Sequence, residues 1–253
     1  MTVPPVRLGP QDTLTLMQVP VADLAPRVLV VGDPARAATA AELLDGARRV
    51  GANREYVTYT GSYRGVPVSV ASHGVGSAGA AICFEELCRG GAQVLVRAGT
   101  AGGLDPEVRD GTLVVATAAV RDDGVTPRIV PLGYPAVADP ELVLALRAAA
   151  TSNELASHHG VVLTSDLFYP HQVLDGGLAL WQRARCVAVE MELAALLVIA
   201  SQHGARAGGV FAIDGNPLAE KDADMSGYDP FREVVARAVA ATLTVALDAL
   251  VSA

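Results

Sequence analysis

Val28-Leu29-Val30-Val31-Gly32-Asp33-Pro34-Ala35-Arg36 decides how this chain is read. Residues 28–31 form a short, β-branched apolar run, the pattern of a buried strand. Glycine and Asp-Pro end it, and an alanine-rich stretch with helical character continues to about Leu44. A strand that turns sharply into a helix leaves free amide groups and the positive end of a helix dipole beside the turn. That setting favours an anion, and Arg36 in the first helical turn adds charge to it. A Gly-Asp-Pro turn also serves plain chain reversal. The stretch is no P-loop, because it lacks a Gly-Lys-Ser/Thr ending, and it lacks the spacing of a dinucleotide fingerprint.

The same alternation continues outward. Strands are predicted at 66–72, 93–98, 112–120, 160–164, 186–189 and 207–213, and helices after residue 79 and over 140–150, 192–203 and 230–250. The strands at 66–72 and 93–98 are expected to break at the glycine-rich runs 73–79 and 99–103. This order predicts an α/β architecture, and open α/β sheets place ligands at such strand ends. With 253 residues and no shift in composition, one domain over 1–253 is expected. An apolar fraction of 51% against 18% charged excludes a disordered chain and supplies a core of Ala, Val and Leu.

The formal net charge of −8 argues against a nucleic-acid partner. All basic residues but Lys221 are arginine, whose planar fork suits a small oxyanion. Mean hydropathy is +0.35, yet the best apolar stretch, 193–200, falls far short of the ~20 residues a spanning helix requires. Residues 1–20 carry no basic patch followed by an apolar block, so no signal peptide is expected. The expectation is a soluble, cytoplasmic protein without a membrane partner. Cys83, Cys88 and Cys186 have neither disulfide-framework nor zinc spacing and read as small buried hydrophobes. No metal site is expected.

Three further segments carry chemistry. In Arg97-Ala98-Gly99-Thr100, an arginine in an apolar strand needs a partner, the glycine admits a ligand to the backbone, and Thr100 offers a hydroxyl and an amide. A structural salt bridge beside a turn and an anion site both fit. In Val189-Glu190-Met191-Glu192, a solvated helix start explains one acid but not two set in apolar sequence. A carboxylate there can accept from two vicinal hydroxyls, as on a ribose. Asp214 stands at the mouth of a buried strand, where an Asp-Gly turn is the plainer alternative.

Six motifs in order, Gly32-Asp33-Pro34, Asn53-Arg54-Glu55-Tyr56, Ser72-His-Gly-Val-Gly-Ser-Ala-Gly79, Arg97-Ala98-Gly99, Ser165-Asp166-Leu-Phe-Tyr-Pro170 and Val189-Glu-Met-Glu192, resemble the nucleoside phosphorylase family. That family includes hexameric purine nucleoside, uridine and methylthioadenosine phosphorylases, and the resemblance runs from about Val28 to the C-terminus. Cys83-Phe-Glu-Glu-Leu-Cys88 and Ile213-Asp-Gly-Asn-Pro217 are similar to its purine branch. The resemblance implies a three-layer α/β/α sandwich around a mixed, partly barrel-like sheet. It implies that Gly32, Arg36, Arg97 and Thr100 bind phosphate, with Arg54 contributed by a neighbouring subunit of a homohexamer. Glu192 would hold the ribose 2′- and 3′-hydroxyls with Met191 beneath the sugar. Phe168 and Glu190 would meet the base, and Asp214 would act at purine N7. Inorganic phosphate is then a co-substrate, and no cofactor is implied.

The chain departs from that pattern in places. Leu16 stands where relatives usually carry a histidine for the 5′-hydroxyl, which opens the way to 5′-methylthio nucleosides. Glu220 replaces a tryptophan of the purine branch, in a polar stretch where Asp222 and Asp224 also offer carboxylates. Gln172 matches the uracil-gripping glutamine of uridine phosphorylases, but Leu174 replaces its arginine partner. Uridine phosphorolysis, hydrolysis by a nucleosidase, and nucleoside binding without catalysis are the competing readings.

Overall fold

The structure is a computed structural model and describes residues 6–169, 177–219 and 228–253. The opening stretch folds as β1 (Arg27–Val31) followed by α1 (Pro34–Ala41). Asp33 caps the helix, its carboxylate accepting the Ala35 N–H at 2.8 Å, and Pro34 presets the first turn. Strand periodicity then assigns β1 to two cores at once. Val28 and Val30 point into one apolar cluster, Leu29 and Val31 into the other.

The remaining elements follow in chain order. β2 (Asp45–Asn53) and β3 (Tyr56–Tyr63) form a hairpin, and β4 (Val66–Ser72) leads to α2 (Ser77–Arg89). β5 (Val94–Gly103) and β6 (Leu113–Asp122) precede a short α3 (Thr126–Ile129), a two-residue β7 (Ala136–Val137) and α4 (Pro140–Ser152). β8 (Ser157–Ser165), α5 (Leu178–Arg183), β9 (Ala188–Glu190), α6 (Leu193–His203), β10 (Arg206–Gly215) and α7 (Glu233–Ser252) complete the chain.

The sheet is mixed. β5 pairs with both β9 and β10, β10 with β6, β6 with β8 and β8 with β9, so five strands close into a barrel. From β5 the sheet extends outward through β1, β4, β3 and β2. α2 and α6 pack into one core, and α1, α4 and α7 into the other. This is the three-layer α/β/α sandwich with a partly barrel-like sheet. Strands β1, β4, β5 and β10 run parallel, so their carboxyl ends and the loops after them meet at one edge.

Three expectations change. The hairpin β2–β3 was not signalled, because β2 is exposed along most of its length and so carries no alternating apolar pattern. β5 does not break at Gly99 but runs on to Gly103, because β10 pairs with it as far as Gly102 and β9 pairs at Gly102 and Gly103. Tertiary pairing overrides the weak strand preference of glycine. α7, and not only residues 193–200, is apolar over a long stretch: by length and composition alone it is sufficient to cross a membrane. Its Leu243, Ala246, Leu247 and Leu250 are buried in the second core instead. The three cysteines are free and buried.

Candidate active site

A cavity of about 610 Å³ opens at that edge, between the carboxyl ends of β1, β5 and β10 and the start of α6. Its walls bring together Gly32, Arg36, Arg97, Thr100, Met191 and Glu192. Phe168, Asp214 and Tyr228 line the same cavity.

Arg97 is the hub. It sits in the middle of β5, is 5% exposed, and lies over the Phe211 ring at 5.0 Å. A buried cation needs counter-charge, and Glu192 supplies it through a short ion pair at Nη2. Glu190 stands 3.6 Å from Nη1. Gly99, two residues along the same strand face, leaves the space the guanidinium fills, since a Cβ there would collide with it.

Glu192 is fixed twice over, because its Oε1 also accepts the Gly76 N–H at 2.6 Å. Gly76 adopts φ 89°, a conformation that side chains disfavour, and so turns its amide towards the carboxylate. The Ser77 hydroxyl donates to the Met191 carbonyl at 2.9 Å and pins the residue between the two acids.

Glu190, expected at the base, lines the cavity and is engaged within the fold as well. Its side chain is fully buried, and its oxygens accept from the Thr164 hydroxyl and from the N–H groups of Glu192 and Leu193. It caps the N-terminus of α6, where free amides and the helix dipole favour an anion. Burial pushes its carboxyl up, against the opposing pull of Arg97. Engaged this way, its carboxylate helps to position Arg97 and Glu192, and it also lines the cavity.

Arg36 lines the cavity and makes no ion pair among the described residues. Burial and the nearby Arg97 lower its pKa, while Asp33 and Asp214 oppose the shift. Two cations therefore face one corner beside Gly32 and Thr100, an arrangement that an oxyanion relieves. Behind that corner lies His73, fully buried, with no hydrogen bond to either ring nitrogen among the described residues and its ring edge-on to Phe84, centroids 5.2 Å apart. Burial, then Arg97 and Arg36, hold it well below the usual imidazole range, so it is neutral.

Asp214 is 5% exposed near the end of β10 and lines the same cavity. Burial raises its pKa, partly offset by hydrogen bonds from Tyr228 and Thr100 and by the charge on Arg36. Arg232 donates to its backbone carbonyl at 2.8 Å. Phe168 stands at the rim, edge-on to Tyr169 and Tyr228.

Arg54 is the site residue that this chain does not bring into its own cavity. It is exposed in the tight turn of the β2–β3 hairpin, with φ 54°, strained for a long side chain. Leu16 is tied to the same turn, its carbonyl accepting from Asn53 Nδ2 at 2.8 Å and its N–H donating to Glu86 at 2.7 Å. Tyr228 and Glu55, both in the cavity wall, were missed as site residues. Tyr228 follows a polar run without periodic pattern, while Glu55 lay inside a quoted motif and needed only a role. Gln172, Leu174, Glu220, Asp222 and Asp224 lie outside the described residues. Among the described residues, no group of three or more His, Cys, Asp or Glu is placed to hold a metal ion.

A family model described as the phosphorylase superfamily matches residues 26–252. The chain belongs to that superfamily. Its relatives include nucleoside phosphorylases of two kinds. The purine nucleoside phosphorylase of Plasmodium vivax (strain Salvador I) is 40% identical over 204 residues, covering 80% of this chain and 83% of that one. The uridine phosphorylase of Thermococcus kodakarensis is 41% identical over 210 residues, covering 79% and 76%. Among solved structures, the purine nucleoside phosphorylase of Toxoplasma gondii in complex with immucillin-H superimposes with a TM-score of 0.90 at 31% identity. It covers 97% of this chain and 98% of that one. As a superfamily member of this kind, the chain is a pentosyltransferase whose substrates are a nucleoside and phosphate.

Proposed function

We propose that this protein catalyses the reversible phosphorolysis of purine nucleosides to the free base and ribose 1-phosphate. The observation that carries the reading is the convergence of Arg36, Arg97 and the buried acid Asp214 on one cavity whose wall also holds Glu192 and Met191. Cleaving the glycosidic bond puts positive charge on the sugar and negative charge on the departing base. Phosphate held by Gly32, Arg36, Arg97 and Thr100 stabilises the first and attacks C1′. Asp214, whose pKa burial raises, donates a proton to N7 and relieves the second. Glu192 receives the ribose diol and Phe168 flanks the base.

An exposed Arg54 on a strained turn supports a homohexamer in which that turn completes a neighbour's phosphate site. Leu16, braced against the same turn, brings an apolar group towards the neighbour's 5′ position and favours 5′-methylthio nucleosides. We place the enzyme in the cytoplasm, working in purine salvage with no cofactor. A panel of inosine, guanosine, adenosine, methylthioadenosine and uridine, each with and without inorganic phosphate, tests the reading. Phosphate-dependent release of purine is expected. Release without phosphate points to a nucleosidase, and preference for uridine to the pyrimidine branch.

A further inference from the structure

The geometry points to Tyr228 as a guard on the acid: its hydroxyl engages Asp214 in the space the base needs, and the base must displace it to reach the carboxyl. The Tyr228 hydroxyl donates to Asp214 Oδ2 at 2.7 Å. Its ring packs over Gly215, where a Cβ would stand 3.4 Å from Cδ2, and meets Phe168 edge-on with centroids 5.7 Å apart. The phenol thus fills the gap between the aromatic flank and the acid, which the proposed phosphorolysis assigns to the purine. Purine N7 and the tyrosine hydroxyl compete for one carboxyl.

The main chain around the acid is built to stay while this partner leaves. Arg232 grips the Asp214 carbonyl at 2.8 Å and Asp110 at 2.6 Å, and β10 pairs with β6 up to Ala212 and with β5 on either side of the acid, at Ile213 and Gly215. Tyr228 itself belongs to no helix or strand. The charged groups facing the pair are Arg36 from α1 and Arg232 from the turn before α7, the latter already neutralised by Asp110.

The exchange has a chemical consequence. A phenol donor stabilises the carboxylate, which is the wrong state for a general acid. When the base displaces Tyr228, burial remains and that donor is lost, so Asp214 takes up a proton from water. That proton passes to N7 as the glycosidic bond breaks. The inference rests on the proposed reaction for the identity of the base, but the Tyr228–Asp214 bond is testable without turnover.

The test is Tyr228→Phe, which keeps the ring and removes the donor. A carbon-13 NMR titration of the Asp214 carboxyl in the protein without nucleoside is expected to shift up by about one pH unit. Calorimetry with hypoxanthine should show about tenfold tighter binding, the same difference in another form. With inosine, the alkaline limb of kcat/KM should move up with the titration, while that of kcat stays where it is in wild type. An unmoved titration, weaker hypoxanthine binding, or limbs of kcat and kcat/KM that shift together would each overturn the proposal and make Tyr228 a fixed wall. If wild type cleaves no purine nucleoside with phosphate, the functional reading fails, while the titration and the calorimetry still decide the role of Tyr228.

Discussion

Replacing Gly99 by alanine should disarm Arg97 without changing any charge. A Cβ at position 99 would stand 3.0 Å from the Arg97 Cζ and 3.1 Å from the Phe211 ring, in the path of the guanidinium. The end of an arginine is usually free to move aside, but this one is held by Glu192 and Glu190 on one side and the Phe211 face on the other. Moving it leaves two carboxylates, each 3% exposed, without their counter-charge. Breaking a buried pair in this way costs about 3–5 kcal/mol. Uptake of a proton by Glu190, whose pKa burial already raises, brings the effect towards the lower figure. At ~2–4 °C per kcal/mol for a domain of this size, about 3 kcal/mol corresponds to a loss of ~6–12 °C in Tm. The same displacement removes one of the two cations from the phosphate corner. If about 2–3 kcal/mol of charge-assisted hydrogen bonding is lost there, the KM for phosphate rises ~30–160-fold. Scanning calorimetry and initial rates across a phosphate series measure both. A Tm and a phosphate saturation curve both equal to wild type would refute the claim that this slot positions Arg97.

Asp214→Asn should lower kcat for inosine on the order of 10²-fold or more. A raised pKa keeps wild type active below it and costs activity as pH rises through it, so the variant should lose that alkaline limb; near-normal turnover would remove Asp214 as the acid. Arg54→Ala and Arg36→Ala subunits, each impaired alone, should regain activity when co-assembled, because some sites then receive both arginines; no recovery in verified hybrids would exclude sharing. His73 stays neutral in the fold, so below about pH 6.5 the unfolded chain alone takes up its proton. Stability should fall by ~1.4 kcal/mol per pH unit on acidification from this group, and denaturant unfolding of His73→Phe between pH 6.5 and 5 should show a correspondingly shallower slope.

What was legible in the sequence follows from where each residue draws its partners. β1 and α1 were readable because strand periodicity, the Asp33 cap and Pro34 are local signals, all within ten residues. Arg97 was readable as a charge in need of a partner, but the identity of the partner was not. Glu192 lies 95 positions away and meets it through the pairing of β5 with β9. The β2–β3 hairpin escaped notice because its first strand faces outward, so no alternation marks it. The extension of β5 through Gly99–Gly103 was hidden because the strands that stabilise it come from residues 188–190 and 206–215. Tyr228 could not be found at all by pattern. It acts as a single side chain reaching back fourteen residues to Asp214.

The two acids flanking Met191 now have separate reasons to exist. Glu190 completes the start of α6 with Thr164, whose hydroxyl also receives the Ala194 N–H at 3.0 Å, and so fixes the helix that carries Glu192. Glu192 faces the cavity and answers Arg97. Neither acid is tolerable alone at this depth, since a buried carboxylate without a cation is costly. One arginine between them neutralises part of that cost and is itself neutralised. The consequence is that fold stability and phosphate recognition draw on one ion-pair cluster. A substitution at Glu190 should therefore be read through both Tm and the phosphate KM, because loss of the helix cap moves the first and loss of Arg97 placement moves the second.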